Sequence, residues 1–405
     1  MKQEFSKHTK VSKKPHQIMK KIAFCLLGNE NNWHAGLVYI TSLLRALQMI
    51  KDNQAVFSLV LLAEEISMPH DLKKLVHETI GYPTHHRWTV PWFFDQAAKK
   101  ILRHDFYRSR FLTRHQIKVI AFGEAPRGSK IPWLSWLPDF QHIHLPEMFS
   151  PEECERRNDS FMRIAQNSTR ILLLSESVKR DFVSFAPLYA HKARVVRPAS
   201  HIPPMVYETP PRSVADAYRL PGRFIYLPNQ FWKHKNHSSV FQAVRLLKDQ
   251  GTEVIVVCSG NLIDYRHPNY FSELLQMVSR LGIWPQIVFL GLIPRDHVFS
   301  LIRQSICVLN PSLFEGLGLA TDEARSLGKQ LVLSDIDAHR EQDPPRAVFF
   351  DPRDYQDLAT KMAEVWREKQ PGPDSELEAE ARDSLNGRLK AFGESFLSVV
   401  QEVLS

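Results

Sequence analysis

Short apolar runs alternate with helix-patterned stretches along most of this chain, and that alternation leaves few folds open. Strands separated by helices cannot pair as hairpins, so they read as parallel sheets with crossover helices. In the first half, KIAFCLLG (21–28), VFSLVLLA (56–63), KVIAFG (118–123) and RILLLSE (170–176) read as strands. GLVYITSLLRALQ (36–48) reads as a helix after the first of them. A second set begins with RFIYLPN (223–229), continues through EVIVVCSG (253–260), QIVFLG (286–291) and ICVLNPS (306–312), and includes QLVLSD (330–335). Helices are expected over 236–249 and 270–281, and the terminal GRLKAFGESFLSVVQEVLS is helical and amphipathic.

Between the sets, RPASHIPPMVYETPPR (197–212) carries five prolines and no periodicity, which reads as a linker. At 405 residues the chain exceeds one ordinary core. The expected division is a basic tail over 1–20, a first domain over 21–200, a linker over 201–212, a second domain over 213–385 and a terminal helix over 386–405 that returns to the first domain. Two doubly wound α/β halves bind ligands at the carboxyl ends of their strands, so a cleft between them is the place to look.

Charge distinguishes the halves. Residues 1–200 hold 30 Lys/Arg against 18 Asp/Glu, net +12, whereas the remainder nets −4. A basic first half suits an anionic partner such as a membrane surface or a phosphorylated acceptor. The stretch AKKILRHDFYRSRFLTRHQIK (98–118) concentrates this charge, with seven Lys/Arg against Asp105 and interleaved apolar residues. It suits peripheral contact with anionic lipid, or a helix packed on its own sheet with a solvated basic face. No apolar stretch approaches the ~20 residues that span a bilayer. The run after the basic N-terminus reads as a buried strand and lacks a small-residue cleavage site. The four cysteines have no metal-like spacing, which fits a reducing cytoplasm.

The segment NPSLFEGLGLATDEARSLG (310–328) carries the chemistry. Gly316 and Gly318 permit a bend between the strand and a helix that Gly328 stops. A helix start after glycines offers free N–H groups and a positive dipole end to a phosphate. Glu315 before the bend and Glu323 within the helix place two carboxylates beside that anion site, and carboxylates accept hydrogen bonds from vicinal hydroxyls.

This segment resembles the Glu-(seven residues)-Glu motif of retaining family-4, or group 1, glycosyltransferases, which have the GT-B fold of two facing Rossmann-like domains. RFIYLPNQFWKHKNHSSVFQAVRLL, IVFLGLIPRDHVFSLIRQS and VFFDPRDYQDLATKMAEVW resemble further parts of that family's donor domain. In the first half, NENNWHAGLVYITSLLRAL, bearing Gly36, resembles its glycine loop. WLPDFQHIHLPEMFSPEE and LLLSESVKRDF resemble its acceptor-side landmarks.

The resemblance implies that Glu323 holds the ribose of a nucleotide sugar and Glu315 the transferred sugar. Gly316, Leu317, Gly318 and Leu319 would lie against sugar and distal phosphate, Lys235 against the diphosphate, and Ile293 near the base. Asn229 stands where the family often has arginine, with Lys233 nearby as a replacement charge. Pro138-Asp139 stands where relatives have His-Asp, leaving Asp139 and His142 as candidates for the donor sugar or acceptor hydroxyl. The family uses no metal and no further cofactor, and it retains anomeric configuration.

Other motifs carry less. Asp335 and Asp337 match an Asp-x-Asp metal pattern but follow a late strand, and His142 with His144 lack a third ligand. No dinucleotide fingerprint or P-loop is present. The expectation is a cytoplasmic glycosyltransferase acting at the inner membrane face. It would pass a hexose from a nucleotide diphosphate sugar to a lipid-linked or lipopolysaccharide-type glycan. A nucleotide-sugar epimerase, a catalytically silent subunit or glycan-binding module, and a nucleic-acid-binding protein are the rivals; the last leaves the donor motif unexplained.

Overall fold

The computed structural model describes residues 19–26, 34–50, 57–63, 70–81 and 106–405. Two parallel sheets organise them. The first comprises β1 (Lys20–Leu26), β2 (Phe57–Ala63), β3 (Glu78–Gly81), β4 (Ile117–Ala121), β5 (Trp133–Leu137), β6 (Arg170–Leu173) and β7 (Ala193–Val195). Their order is β3-β2-β1-β4-β5-β6-β7. The second comprises β8 (Ile225–Leu227), β9 (Val256–Cys258), β10 (Ile287–Phe289), β11 (Val308–Asn310), β12 (Leu331–Ser334) and β13 (Val348–Phe350). Their order is β10-β9-β8-β11-β12-β13. Each sheet reverses its winding once, between β1 and β4 in the first and between β8 and β11 in the second. A ligand crevice opens at such a reversal because the flanking crossovers leave in opposite directions.

Strand burial explains the composition. β2 is buried at every residue, and its run FSLVLLA is correspondingly almost wholly apolar. A strand covered by helices on both faces has no solvent side to be polar. The sequence reading missed β3, β5 and β7. β3 reads ETIG and β7 reads ARV, both too short and polar to register as apolar runs. β5, WLSWL, places Ser135 inside the core, where it accepts a 2.7 Å hydrogen bond from the Ser168 hydroxyl.

The proline-rich connection is more ordered than expected. Helices Met205–Glu208 and Pro211–Ala217 occupy it, because proline suits the first turn of a helix, where no N–H partner is needed. Val206 and Ala215 are buried against the second half. The terminal helix also begins earlier, running from Ser375 to Leu404, with Asp374 capping its start. Its apolar stripe lies on the first half: Phe396 stacks 5.7 Å from Phe24, and Phe392 meets Tyr39 edge-on at 5.3 Å. Near its end, Glu402 ion-pairs with both Arg170 and Arg194.

Of the basic stretch 98–118, residues 98–105 lie outside the described residues. The remainder is not one helix: Phe106–Arg114 is helical, and Lys118 belongs to β4. Arg110, Arg114 and Lys118 are exposed. Among the described residues, no helix is long and apolar enough to cross a membrane.

Candidate active site

The two strands flanking the second sheet's reversal each deliver one charged residue. After β8 the chain enters a short 3-10 turn, Lys233–Lys235, that ends on Asn236 in the left-handed conformation. After β11 it passes through Ser312 to Glu315 and the bend. Lys235 Nζ lies 2.6 Å from Glu315 Oε1, and the Ser312 hydroxyl donates to the same oxygen at 2.7 Å. Burial pushes the Glu315 carboxyl up. The charges of Lys235 and His339 and the hydrogen bonds from Lys235 and Ser312 together outweigh it, leaving the group below the usual carboxylate range.

The two glycines of the bend have different physical reasons. Gly318 has φ +88°, the left-handed region that favours glycine, and it caps the Leu319–Ser326 helix. Gly316 has no such angle. A Cβ there would fall 2.2 Å from the Pro138 carbonyl oxygen of the first domain. The first domain therefore approaches so closely that only a hydrogen fits. Ser175, the cap of the Glu176–Phe185 helix, donates to the Gly316 carbonyl at 2.8 Å. Glu341 reaches back the other way, accepting the Glu176 and Ser177 N–H groups at 2.7 and 2.9 Å.

A cavity of about 180 Å³ lies in this junction. Its second-domain wall contains Lys235, Glu315 and Gly316 to Leu319, and its first-domain wall contains Val38, Tyr39, Trp136 and Asp139. Tyr39 and Trp136 stack with centroids 5.4 Å apart. Asp139 Oδ1 pairs with Arg157 at 3.0 Å and accepts the Gln141 N–H. Leu319, the first residue of the helix after Gly318, lines the same space, and its N–H belongs to the helix start that leaves such groups without a helical partner.

Several candidates sit elsewhere. Glu323 is buried and does not line the cavity; it pairs with Arg295 at 2.5 Å, although both glutamates were expected to face one cleft. Burial raises its pKa, Arg295 opposes, and the neighbouring Asp322 charge adds to the rise. His142 is 2 % exposed, bonded to Asn158 at 2.9 Å, and set among Phe140, Phe149 and Phe161. It is a core histidine that does not line the cavity: Nε2 is held by Asn158, while Nδ1 is buried without a partner among the described residues. Asn229 is buried and donates to Asn310 at 3.0 Å. Lys233 is exposed, its backbone N–H is held by Asp264, and it is not among the residues lining the cavity. Ile293 is half-buried beyond β10, and Gly36 is buried in the first turn of the His34–Met49 helix.

The Asp-x-Asp carboxylates are both engaged by arginines: Asp335 by Arg340 at 2.6 Å and Asp337 by Arg180 at 2.5 Å. His144 pairs with Asp181 and stacks on Phe314. Among the described residues, no group of three or more His, Cys, Asp or Glu is arranged to hold a metal ion.

The sequence reading overlooked Arg295, Arg157 and Asp322. Asp322 accepts the Ser200 N–H at 2.6 Å and pairs with Arg388 at 2.8 Å, tying the connection and the terminal helix to the bend. An acidic residue early in a helix signals only the dipole. Nothing local distinguishes one that bridges three segments.

Comparison with known proteins bears on the second domain and on the fold. Residues 219–383 match the family model of glycosyl transferases group 1. The chain is 25% identical over 238 residues to the serotype-specific mannosyltransferase WbdA of Escherichia coli. The match covers 56% of this chain and 26% of WbdA, so it spans about a quarter of that relative. Across nearly its whole length the chain is similar to Anabaena HepE, solved with UDP and glucose. The TM-score is 0.66 at 16% identity, covering 94% of this chain and 99% of that one. WaaG, a glycosyltransferase involved in lipopolysaccharide biosynthesis, aligns with a TM-score of 0.59 at 11% identity, covering 92% and 95%.

Proposed function

From a chain with a GT-B fold whose residues 219–383 match the group 1 glycosyltransferase family model, we propose a retaining, metal-independent hexosyltransferase. Its donor is a nucleotide diphosphate sugar, and its acceptor is a lipid-linked or lipopolysaccharide-type glycan. The observation that carries this reading is the Lys235–Glu315 pair at the glycine bend, facing an aromatic wall of the other domain across a small cavity. WbdA's designation as a mannosyltransferase and the UDP and glucose held by HepE support the donor class. WaaG's role supports the acceptor class.

In this reading Lys235 leaves Glu315 for the donor diphosphate. A charge-assisted hydrogen bond of this kind is worth roughly 1.5–3 kcal/mol. Negative charge grows on the leaving nucleotide as the glycosidic bond breaks, so Lys235 and the N–H groups after Gly318 stabilise that charge most in the transition state. Glu315, released from Lys235, accepts hydroxyls of the transferred hexose, and Glu323 exchanges Arg295 for the ribose hydroxyls. Asp139 faces the sugar from the acceptor side. A cavity of about 180 Å³ falls below the ~300–1,000 Å³ of ordinary ligand sites, so the domains part to admit the donor and close again for transfer. The setting is the cytoplasmic membrane face, with the basic stretch 98–118 resting on anionic lipid.

A thermal-shift panel of UDP, GDP, ADP, TDP and CMP tests the donor half. One nucleoside diphosphate at 100 times its dissociation constant stabilises the chain by about 2.7 kcal/mol, and Glu323→Ala loses most of that shift. Transfer from the matching radiolabelled nucleotide sugar then tests the reaction. Glu315→Gln lowers turnover with a smaller loss of nucleotide affinity. Absence of any nucleotide response overturns this reading in favour of a silent glycan-binding subunit.

A further inference from the structure

A second cavity, of about 460 Å³, lies beyond Leu317 and Pro198, which line both it and the cleft cavity. Unlike its smaller neighbour, it falls within the usual range for ligand sites. Three segments bring arginines to its wall: Arg197 beyond β7, Arg325 on the last turn of the Leu319–Ser326 helix, and Arg388 on the terminal helix. Glu176, Asp322 and Gln342 share the lining.

The carboxylates are already engaged. Asp322 holds Arg388 and the Ser200 N–H, Glu341 holds Arg197, and Glu176 pairs with Lys179 at 3.1 Å. Arg325 donates to the Gln342 carbonyl, and among the described residues no carboxylate pairs with it. Burial and the charges of Arg388 and Arg197 press its pKa down, with Asp322 and Asp343 opposing. Arginine stays charged regardless, so this crowding is relieved by an incoming anion.

Two buried polar atoms on residues of this lining lack partners among the described residues: the donor Arg388 Nε and the acceptor Gln342 Oε1. Gln342 Nε2 donates to the Leu317 and Gly318 carbonyls, which fixes the amide so that Oε1 seeks a donor. A ligand that completes this wall has an oxyanion for the guanidinium groups and a hydroxyl for Gln342.

We propose that this cavity binds a phosphorylated sugar, its phosphate at Arg325 and Arg388 and a ring hydroxyl at Gln342 Oε1. The cavity lies against the Leu317–Gly318 bend, so occupancy reaches the transfer site directly. Reading that sugar as part of the acceptor rests on the function proposed above; binding of the anion does not. Two sources share this chemistry: a phosphate borne by the acceptor glycan, and a free sugar phosphate.

The test is calorimetric titration of the full chain with glucose 6-phosphate, inorganic phosphate and glucose. Glucose 6-phosphate binds more tightly than either of the others. Arg325→Gln weakens it by about tenfold or more, as loss of a charged hydrogen bond requires, and Arg325→Lys restores part of the loss. The nucleotide panel on the same variants reports separately on the donor site and keeps its wild-type shift. Wild-type chain that takes up neither phosphate at millimolar concentration overturns the site, whatever the nucleotides do. So does an Arg325→Gln variant that binds as wild type. With the anion bound, inhibition of transfer competitive with acceptor identifies an acceptor-borne phosphate, and non-competitive inhibition identifies a free ligand.

Discussion

The two halves of this molecule wind six strands in the same order, yet they place different chemistry after equivalent strands. In the second half, the strands at the reversal lead to a lysine and a glutamate, held 2.6 Å apart on short turns. In the first half, the helix after β1 brings Val38 and Tyr39, and β5 brings Trp136 and then Asp139. One wall is charged and suited to phosphate; the other is largely apolar and suited to the face of a sugar ring. The shared topology supplies two crevices, and only the side chains at their mouths decide what each can hold.

The sharpest way to break this comparison is to titrate the two glutamates. Glu315 sits below the ordinary glutamate value of about 4.3, so its contribution to stability is present above that pH and is lost as pH falls through the folded value. Glu323 is raised, so its ionised form is penalised by folding, and that penalty is relieved as pH falls through its folded value. In denaturant unfolding at pH 7, Glu315→Gln leaves Lys235 without its partner and costs roughly 3 kcal/mol. Its deficit shrinks in acid. Glu323→Gln is at least as stable as wild type at pH 7, and its advantage narrows towards pH 4. Matching pH profiles for the two variants would contradict the difference in their surroundings.

Gly316→Ala tests the contact between the halves. Its Cβ meets the Pro138 carbonyl at 2.2 Å, an overpacking that costs about 1–3 kcal/mol in the closed arrangement. Turnover therefore falls by about 10–100-fold, whereas nucleotide affinity, a property of the second half, changes little. Steady-state kinetics beside nucleotide titration separates the two. Unchanged turnover would mean that the reacting state is more open than the arrangement described here.

The smallest effect is expected at His142, in the first half. His142→Gln retains a hydrogen-bonding side chain near Asn158 but disturbs the surrounding aromatic nest. The melting midpoint drops by an amount equivalent to about 1 kcal/mol, and turnover stays within a few-fold. A large loss of turnover with normal stability would return His142 to the reactive wall.

Legibility differed between the halves for the same reason their chemistry differs. The donor-side elements are continuous in sequence: strand, glycine bend and helix lie within residues 308–326, and the expected helix after the bend begins at Leu319 as read. Local chain chemistry sufficed there, since apolar runs make buried strands and a glycine after them makes a turn. The first half gave weaker signals. β3 and β7 are too short to stand out, and the polar residues at its wall carry no spacing that marks them. Arg157 reaches Asp139 from a helix eighteen positions away, and Arg295 reaches Glu323 from a different crossover.

Two parallel α/β halves, the cleft between them and the glycine-framed carboxylates were determined by periodicity and by residue types at short spacing. Tertiary structure alone decided that Glu315 faces the cleft while Glu323 turns to Arg295, that His142 is core, and that Gly316 answers to the Pro138 carbonyl rather than to its own backbone angle. Periodicity follows from the backbone's own repeat and is written locally. Which charges become partners depends on how distant segments pack, and no short window of sequence contains both ends of such a contact.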